Sequence, residues 1–324
     1  MSANQLRVLQ GDEVPIEGLV GKRISIIGYG NQGRVHAQNL RDSTLDVTVY
    51  ARNPEKSIQD GFEPSSIEEA SGCDLVIVAL PDEVQGEVFT RQIEPNLADG
   101  VVLGFIHGFS IHFGQIKPPD GIGIVMIAPK GPGVTVRAKF LAGSGVPALL
   151  AVERENESNT AGSIALGWAA GIGSGRVGVF ESTFADETET DLFGEQAVIV
   201  GGLSALVKVS FETLVEAGYP PQLAYIECCH EVKQVAEILQ EKGMSGMMAS
   251  ISNTAEMGAY EAMDLLDDEH LRGHMRTLLE GIRDGSFAKR LVERKIKSKQ
   301  EELRHHEIDK VGKEIRSLMQ PDTD

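Results

Sequence analysis

Cysteine is scarce, with three in 324 residues, two of them adjacent at Cys228 and Cys229. Three thiols cannot build a disulfide framework, so the chain reads as one made for a reducing compartment, the cytoplasm. No unbroken apolar run reaches the length of a bilayer-spanning helix, which argues against a membrane span. The opening stretch Met1–Arg7 lacks the apolar core of a signal peptide. Basic residues are outnumbered, 30 against 48 acids, for a net charge of -18. That excess argues against nucleic acid and anionic membrane surfaces as partners. It would suit cation binding, but a whole-chain charge locates no site. Internal repeats and low-complexity segments are also missing. The composition itself, 41% hydrophobic and 24% charged, is that of an ordinary globular protein. A length of 324 residues suggests two domains.

The run Arg23–Ile27 reads as a buried strand and leads at once into Gly28, Gly30 and Gly33, spaced Gly-x-Gly-x-x-Gly. A helical pattern follows through Val35, Ala37, Asn39 and Leu40. Strand, glycine turn and helix in that order are the context a dinucleotide fingerprint requires. Gly28 would allow the tight turn, Gly30 the approach of a pyrophosphate, and Gly33 close helix packing. The pyrophosphate would lie on the helix N-terminus, where free N–H groups favour anions. The second strand, Asp46–Tyr50, is followed not by an acid for a ribose 2′-OH but by Ala51 and Arg52, with Lys56 and Ser57 beyond. Arg52, Lys56 and Ser57 suit a 2′-phosphate and favour NADP(H), while Glu55 keeps NAD(H) open. A solvated loop is the plain alternative for these cations.

Further apolar runs at Asp74–Pro81, Val101–Ile106, Gly123–Lys130, Pro147–Val152 and Arg176–Phe180 alternate with helical patterns. Continuous apolar strands between helices predict a largely parallel sheet covered on both faces. Ligands of such sheets bind beyond the carboxyl ends of the strands. That edge would collect Asp82 to Gln85, His107, and Lys130 to Gly133. His107 could serve the reaction or be a structural histidine; for His112 the structural role fits better. Lys130, in a loop with two prolines and two glycines, could relay protons or contact phosphate.

From about Thr183 strand-like runs stop and helical patterns continue, so the fold class is a Rossmann-type α/β domain, residues 1–182, followed by an all-α domain, residues 183–324. Asp191 and Glu195 stand four apart, as do Glu227 and Glu231. On a helix that spacing makes each pair neighbours on one face. Carboxylates paired beside apolar residues normally meet a cation, and an all-oxygen set suits Mg²⁺. Two solvated acidic faces are the alternative. The stretch Gln196–Val215 is apolar nearly all round, which places it at the centre of the second domain or of a dimer. Gly218 to Pro221 breaks it, and a helix Leu223–Leu239 carries the second carboxylate pair. Ser252 is the candidate hydroxyl in a polar break at Ile251–Glu256. The tail from Lys289 carries Ile308, Val311, Ile315 and Leu318 at heptad-like spacing, for packing on the body or a partner.

Taken together, the blocks Gly28–Gly33, His107–Gly114, Ala128–Gly133, Glu187–Gln196, Tyr225–Glu231 and Ser250–Glu256 resemble ketol-acid reductoisomerase, in that family's order and over nearly the whole chain. The length resembles the short form, with one helical domain. The resemblance implies Mg-dependent alkyl migration of 2-acetolactate or 2-aceto-2-hydroxybutyrate, then reduction by NAD(P)H to the 2,3-dihydroxy acid, in valine and isoleucine biosynthesis. It implies that Asp191 and Glu195 form one pair of magnesium ligands for two ions and Glu227 and Glu231 the other, with Ser252 binding substrate. His107 matches the active-site histidine, and Lys130 a lysine near the reacting centre. Glu231 joins Lys130 as a candidate proton acceptor. Tyr29, Asn31 and Gln32 within the fingerprint, Arg52, Ser57, Asp82, Glu83, Val84, Gln85 and Gly133 match NADP-binding positions. The second carboxylate pair and Ser252 would come from a partner subunit, which implies a homodimer with a shared active site; further assembly is left open. Departures from the family pattern are Asn31 for a serine, Arg34 for a histidine, one serine in the Arg52–Ser57 loop, Cys229 for a leucine, and no tryptophan after Phe287 and Ala288. None touches the metal ligands.

Two other readings compete. A β-hydroxyacid dehydrogenase also joins a Rossmann domain to a helical one, but needs no metal and would leave four carboxylates unexplained. A dinucleotide-binding sensor would show no turnover.

Overall fold

The computed structural model describes residues 6–293 and 297–319. The chain divides into two compact units, Met1–Thr190 and Asp191–Asp324.

The first unit runs β1 (Val8–Leu9), β2 (Arg23–Ile27), α1 (Asn31–Asp42), β3 (Asp46–Tyr50), α2 (Glu55–Gln59), α3 (Ile67–Ser71), β4 (Leu75–Val78) and α4 (Asp82–Val88). It continues with β5 (Val102–Phe105), α5 (Phe109–His112), β6 (Gly123–Pro129), α6 (Gly133–Leu141), β7 (Ala148–Arg154), α7 (Ala161–Gly171) and β8 (Val179–Glu181). The eight strands form one sheet in the order β1-β8-β7-β6-β5-β4-β2-β3. Pairing from β3 through β2, β4, β5 and β6 is parallel, as is β7 with β8. β7 runs antiparallel to β6, and β1 antiparallel to β8. The antiparallel step has a visible cause. After α6 the chain turns at Gly143 (φ 75°) and re-enters beside its point of exit, where Lys130 N–H donates to the Pro147 carbonyl at 2.8 Å. The expected strand at Arg176–Phe180 begins only at Val179, because Ser174–Arg176 closes a short 3-10 turn.

The strands β2, β4, β5 and β6 are buried almost throughout because both faces are covered. Ile24, Ile26, Leu75, Ile77 and Val125 pack with Ala37, Leu40, Ala165 and Trp168 on one face. Ile27, Val76, Val78, Phe105 and Met126 pack with Ala70, Phe89, Ile93 and Phe184 on the other. Each such aliphatic side chain contributes roughly 1.5–3 kcal/mol on burial, so the sheet is a rigid platform for whatever its loops carry.

A helix α8 (Phe184–Gly194) leaves this unit, and a π-turn Glu195–Ile199 interrupts it before α9 (Gly201–Glu216). The second unit continues through α10 (Pro221–Tyr225), a second π-turn Ile226–His230, α11 (Val232–Met248), α12 (Asn253–Leu266), α13 (Glu269–Arg283), α14 (Ser286–Glu293), α15 (Lys297–His305) and α16 (Glu307–Met319). Its core is small: Phe211, Ala224, Tyr225, Val311 and Ile315. Val311 and Ile315 meet the expectation that the tail packs on the body; Leu318 stays 76% exposed. A Cβ on Gly312 would lie 2.6 Å from the Tyr225 ring, which is how closely α16 approaches.

Of the two places expected for the apolar stretch 196–215, the centre of the second unit holds only its later part: Phe211 is in that core, with Leu214 and Val215 packed on it, whereas Val198, Ile199, Val200, Leu206 and Val209 are each more than half exposed. The helical run Phe184–Glu216, 33 residues, is also long and apolar enough to cross a membrane by length and composition. Acids and Lys208 interrupt its series, so no unbroken apolar run results, and one such helix is weak evidence of a span.

Candidate active site

The parallel strands deliver their carboxyl ends to one edge, and the expected residues follow them. β2 ends at Gly28, β4 leads to the first turn of α4 with Asp82, Glu83, Val84 and Gln85, β5 to His107, and β6 to Lys130. Gly28 has φ 108°, and a Cβ there would lie 2.5 Å from the Ala79 carbonyl oxygen. Gly33 and Gly133 are as closely packed: a Cβ on Gly33 would lie 2.1 Å from the Gly28 carbonyl oxygen and one on Gly133 2.3 Å from that of Asn31. Gly30 differs: nothing lies within 4 Å of its missing Cβ. Among the described residues no neighbour demands a glycine there, which is what an incoming pyrophosphate would need. The unpaired N–H groups at the start of α1, with Gly30 extended as N-cap, fit an anion. Among the described residues, Gln32 Oε1 and Gln85 Oε1 are buried without a hydrogen-bond partner, although Gln32 Nε2 donates to the Gly131 carbonyl at 3.0 Å and Gln85 Nε2 to that of Leu80 at 2.7 Å. Buried acceptors left unpaired cost about 1–3 kcal/mol each, so this pocket also fits a ligand that donates. Asn31 is exposed at the rim.

In the loop after β3, Arg52 and Lys56 are exposed and Ser57 is buried. The Ser57 hydroxyl donates to the Pro54 carbonyl at 2.8 Å, so it ties the loop together and is turned inward.

The densest chemistry lies beyond β5 and β6. Glu187, in the first turns of α8, is 1% exposed. One carboxylate oxygen accepts from Lys130 Nζ at 2.8 Å. The other accepts the Gly108 backbone N–H at 2.9 Å and lies 2.9 Å from His107 Nδ1, which carries a hydrogen toward the carboxylate. Burial pushes the Glu187 carboxyl up, but the hydrogen bond and charge of His107, with those of Lys130, prevail and bring it to about 2. The loop can come this close only because residue 108 is glycine: a Cβ there would lie 2.5 Å from Thr188 Oγ1. His112 is peripheral, with Nε2 3.6 Å from Glu189 Oε1 and an edge contact on Phe113.

Of the four carboxylates expected to bind metal, Asp191 lies one turn beyond Glu187 on α8, and Glu195 opens the π-turn that follows. Glu227 lies within the second π-turn and Glu231 directly after it, both exposed. The helix Leu223–Leu239 of the expectation is thus broken at its carboxylates. Among the described residues, no three of these four lie within ligand reach of one another in one protomer. Ser252 is exposed and caps α12, its Oγ accepting from Ala255 N–H at 3.2 Å.

The residue that sequence reasoning quoted without giving a role is Glu187. Its signal was present: Glu187, Asp191 and Glu195 are three acids at four-residue spacing, one continuous helical face, and the first of them stands beside Phe184 and Thr188, which are buried.

Two family models match the chain: acetohydroxy acid isomeroreductase, NADPH-binding domain, over residues 18–178, and ketol-acid reductoisomerase, C-terminal domain, over residues 184–321. An NADH-preferring ketol-acid reductoisomerase from an uncultured archean is similar at 38% identity over 96% of this chain and 99% of that one, with a TM-score of 0.92. Two further solved structures share the fold alone. A semialdehyde dehydrogenase NAD-binding protein from Cupriavidus necator, in complex with calcium and NAD, is 18% identical with a TM-score of 0.59 over 81% of this chain and 99% of that one. A pyrroline-5-carboxylate reductase from Coxiella burnetii is 16% identical with a TM-score of 0.51 over 81% and 96%.

Proposed function

The chain belongs to the ketol-acid reductoisomerase family, NAD(P)H-using oxidoreductases of branched-chain amino acid biosynthesis, and from that premise we propose how its residues divide the reaction. The substrate is a 2-hydroxy-3-oxo acid, 2-acetolactate or 2-aceto-2-hydroxybutyrate, and the product a 2,3-dihydroxy acid. Residues 1–182 carry the dinucleotide, and residues 183–324 carry metal, substrate and the dimer contact, in the cytoplasm that three unpaired thiols suit.

Gly28 to Gly33 receive the pyrophosphate, with Asp82 to Gln85 and Gly133 around it. Because Ser57 is turned to Pro54, a 2′-phosphate falls to Arg52 and Lys56. This favours NADP(H) while admitting NAD(H), as Glu55 and the NADH-preferring relative both suggest. An all-oxygen set, Asp191 and Glu195 with Glu227 and Glu231 of the partner subunit, suits two Mg²⁺ ions. That no three of these four carboxylates come within ligand reach among the described residues of one protomer, together with the uncovered apolar face of α9, supports a homodimer that completes the site. When bound, the ions supply Lewis acidity at the substrate's adjacent oxygens and the dinucleotide supplies hydride.

The chain's own groups do the rest. Glu231 of the partner subunit takes the proton of the substrate hydroxyl. The Lys130 ammonium, held by Glu187, donates to the oxygen on which charge develops. His107 presents Nε2 toward the same edge because Nδ1 is turned to Glu187. Ser252 of the partner subunit holds the substrate.

The observation that carries this reading is Glu187, a buried carboxylate that orients both Lys130 and His107 and stands one turn before Asp191. Its test is Asp191→Asn, assayed with 2-acetolactate, Mg²⁺ and NADPH. Turnover should vanish while NADPH binding, read by nicotinamide fluorescence, stays within about twofold of wild type, since a single lost carboxylate on the metal side leaves dinucleotide contacts intact. Parallel loss of both would sink the assignment, as would full turnover in EDTA.

A further inference from the structure

Asp60, the residue that ends α2, is an acceptor with no part in the chemistry above, yet its surroundings are heavily built. Its carboxylate takes a bidentate pair from Arg34, Nε at 2.7 Å and Nη2 at 2.9 Å, and the Tyr29 hydroxyl at 2.8 Å. Its backbone carbonyl accepts Arg41 Nη1. Arg41 lies over the Phe62 ring at 4.6 Å, and Phe62 meets the Tyr29 ring edge to face at 6.0 Å. Three residues in or beside α1 therefore grip the segment Asp60–Phe62 through one carboxylate, one carbonyl and one ring. The Asp60 side chain is only 13% exposed, and the Arg34 guanidinium holds its carboxyl below the usual range.

The loop between β3 and Asp60 carries Arg52 and Lys56. Its start is tied to the glycine turn, where Gly28 N–H donates to the Tyr50 carbonyl at 2.9 Å. Its end is tied by Asp60. Within it, the Ser57 hydroxyl bonds Pro54, and Phe62 N–H donates to the Ser57 carbonyl at 2.9 Å. A loop fixed at both ends to the fingerprint is ordered ahead of its ligand, and that removes an ordering cost from binding.

We propose that Asp60 is a positioning residue for the dinucleotide: gripped by Arg34 and Tyr29, it fixes the loop of Arg52 and Lys56 relative to the N-terminus of α1 and thereby sets cofactor affinity. The inference rests on the reading that Gly28 to Gly33 receives the cofactor. Asp60 touches neither substrate nor metal, so its loss should fall on binding and not on the chemical step.

The experiment titrates the full-length protein with NADPH by fluorescence and follows backbone hydrogen exchange without cofactor. If releasing the loop leaves it competent about one time in ten, the apparent Kd rises about tenfold. Asp60→Ala and Arg34→Gln should both show that rise, with faster exchange over residues 52–59 and kcat at saturating NADPH within about twofold. Asp60→Asn, which still accepts from Tyr29, should fall between. Should Asp60→Ala fail to fold, Arg34→Gln carries the test, since that side chain is 48% exposed. Gly30→Val separates the two ideas: its φ of -82° is open to valine, and its side chain would fill only the place of the pyrophosphate. If Gly30→Val abolishes binding while the Asp60 and Arg34 variants keep wild-type Kd, or lose kcat with Kd unchanged, the role of Asp60 is overturned. If Gly30→Val binds NADPH normally, the cofactor reading itself fails.

Discussion

Lys130 and Glu187 meet across 57 positions of sequence, ammonium to carboxylate at 2.8 Å, one from the loop after β6 and the other from α8. The carboxylate is 1% exposed and the lysine side chain 33%, so the contact has a buried root and an open tip. An exposed ion pair of this length would contribute little. Here the buried partner also holds His107 and the Gly108 N–H, so removing its charge takes a shared acceptor from three groups at once.

Glu187→Gln tests this. The amide keeps the volume but offers one acceptor where there were two, and it donates toward a group that itself donates. Turnover should fall by about 100-fold or more, as general acid and base groups typically contribute 10²–10⁴. Stability should fall by about 1–3 kcal/mol, the range for unsatisfied buried polar groups. Steady-state kinetics and urea unfolding on the same preparation would check both. Unaltered kcat would show that neither Lys130 nor His107 depends on this carboxylate.

The same carboxylate makes stability depend on acid. A carboxyl at about 2 in the folded chain, against 4.5 when unfolded, binds fewer protons folded than unfolded between those values. Its contribution is therefore fully present above about pH 4.5 and is lost as pH falls toward 2, amounting to about 3 kcal/mol. His36 acts in a higher window. It is wholly buried, its Nδ1 accepts Trp168 Nε1–H at 3.0 Å, and burial lowers it from 6.5 to about 3. The unfolded chain then takes up the proton first, so stability begins to fall below pH 6.5. His36→Gln keeps an acceptor for Trp168 and should flatten the stability curve between pH 6.5 and 4.5, while Glu187→Gln flattens it only below 4.5. Unfolding free energies across pH 2–7 would show two separable windows. A single shared one would contradict both assignments.

The parallel part of the first unit was legible because continuous apolar runs and glycine turns are local signals. Arg23–Ile27 and Asp46–Tyr50 emerge with the expected bounds. The direction of β7 was not legible, since a run such as Pro147–Val152 reads the same either way and only the turn at Gly143 decides it. Nor was the state of 196–215: all-round apolarity announces burial without saying by what, and the protomer leaves Val198 59% and Leu206 57% exposed. The π-turns at Glu195–Ile199 and Ile226–His230 have no period of their own to find, although π-turns often mark functional sites. The grip of Arg34 on Asp60 is a contact across 26 positions, for which spacing gives no clue.

The uncovered face of α9 makes a prediction of its own. Contiguous apolar exposure on this scale marks an interaction site, and a second copy of the chain is the proposed cover. Leu206→Glu should turn the dimer into a monomer in sedimentation velocity. Because position 206 lies in solvent in a lone protomer, thermal unfolding of that monomer should show no added core defect. Activity should be lost, with NADPH binding retained. A dimer that persists with full activity would remove α9 from the interface.

If each active site draws Asp191 from one protomer and Glu227 from the other, the two defects complement. Homodimers of Asp191→Asn have two dead sites, and so do homodimers of Glu227→Gln. When the two proteins exchange subunits, half of the dimers formed are mixed. In a mixed dimer one site collects both substitutions and the other collects none, because two-fold symmetry pairs each subunit's Asp191 with its partner's Glu227. Half the dimers with one sound site each should restore about a quarter of wild-type turnover. Were all four carboxylates supplied by one chain, every site in the mixture would carry a substitution and no activity would return. Mixing after mild denaturation, with Leu206→Glu added to one parent to block exchange as the control, distinguishes these outcomes in a single NADPH-oxidation assay.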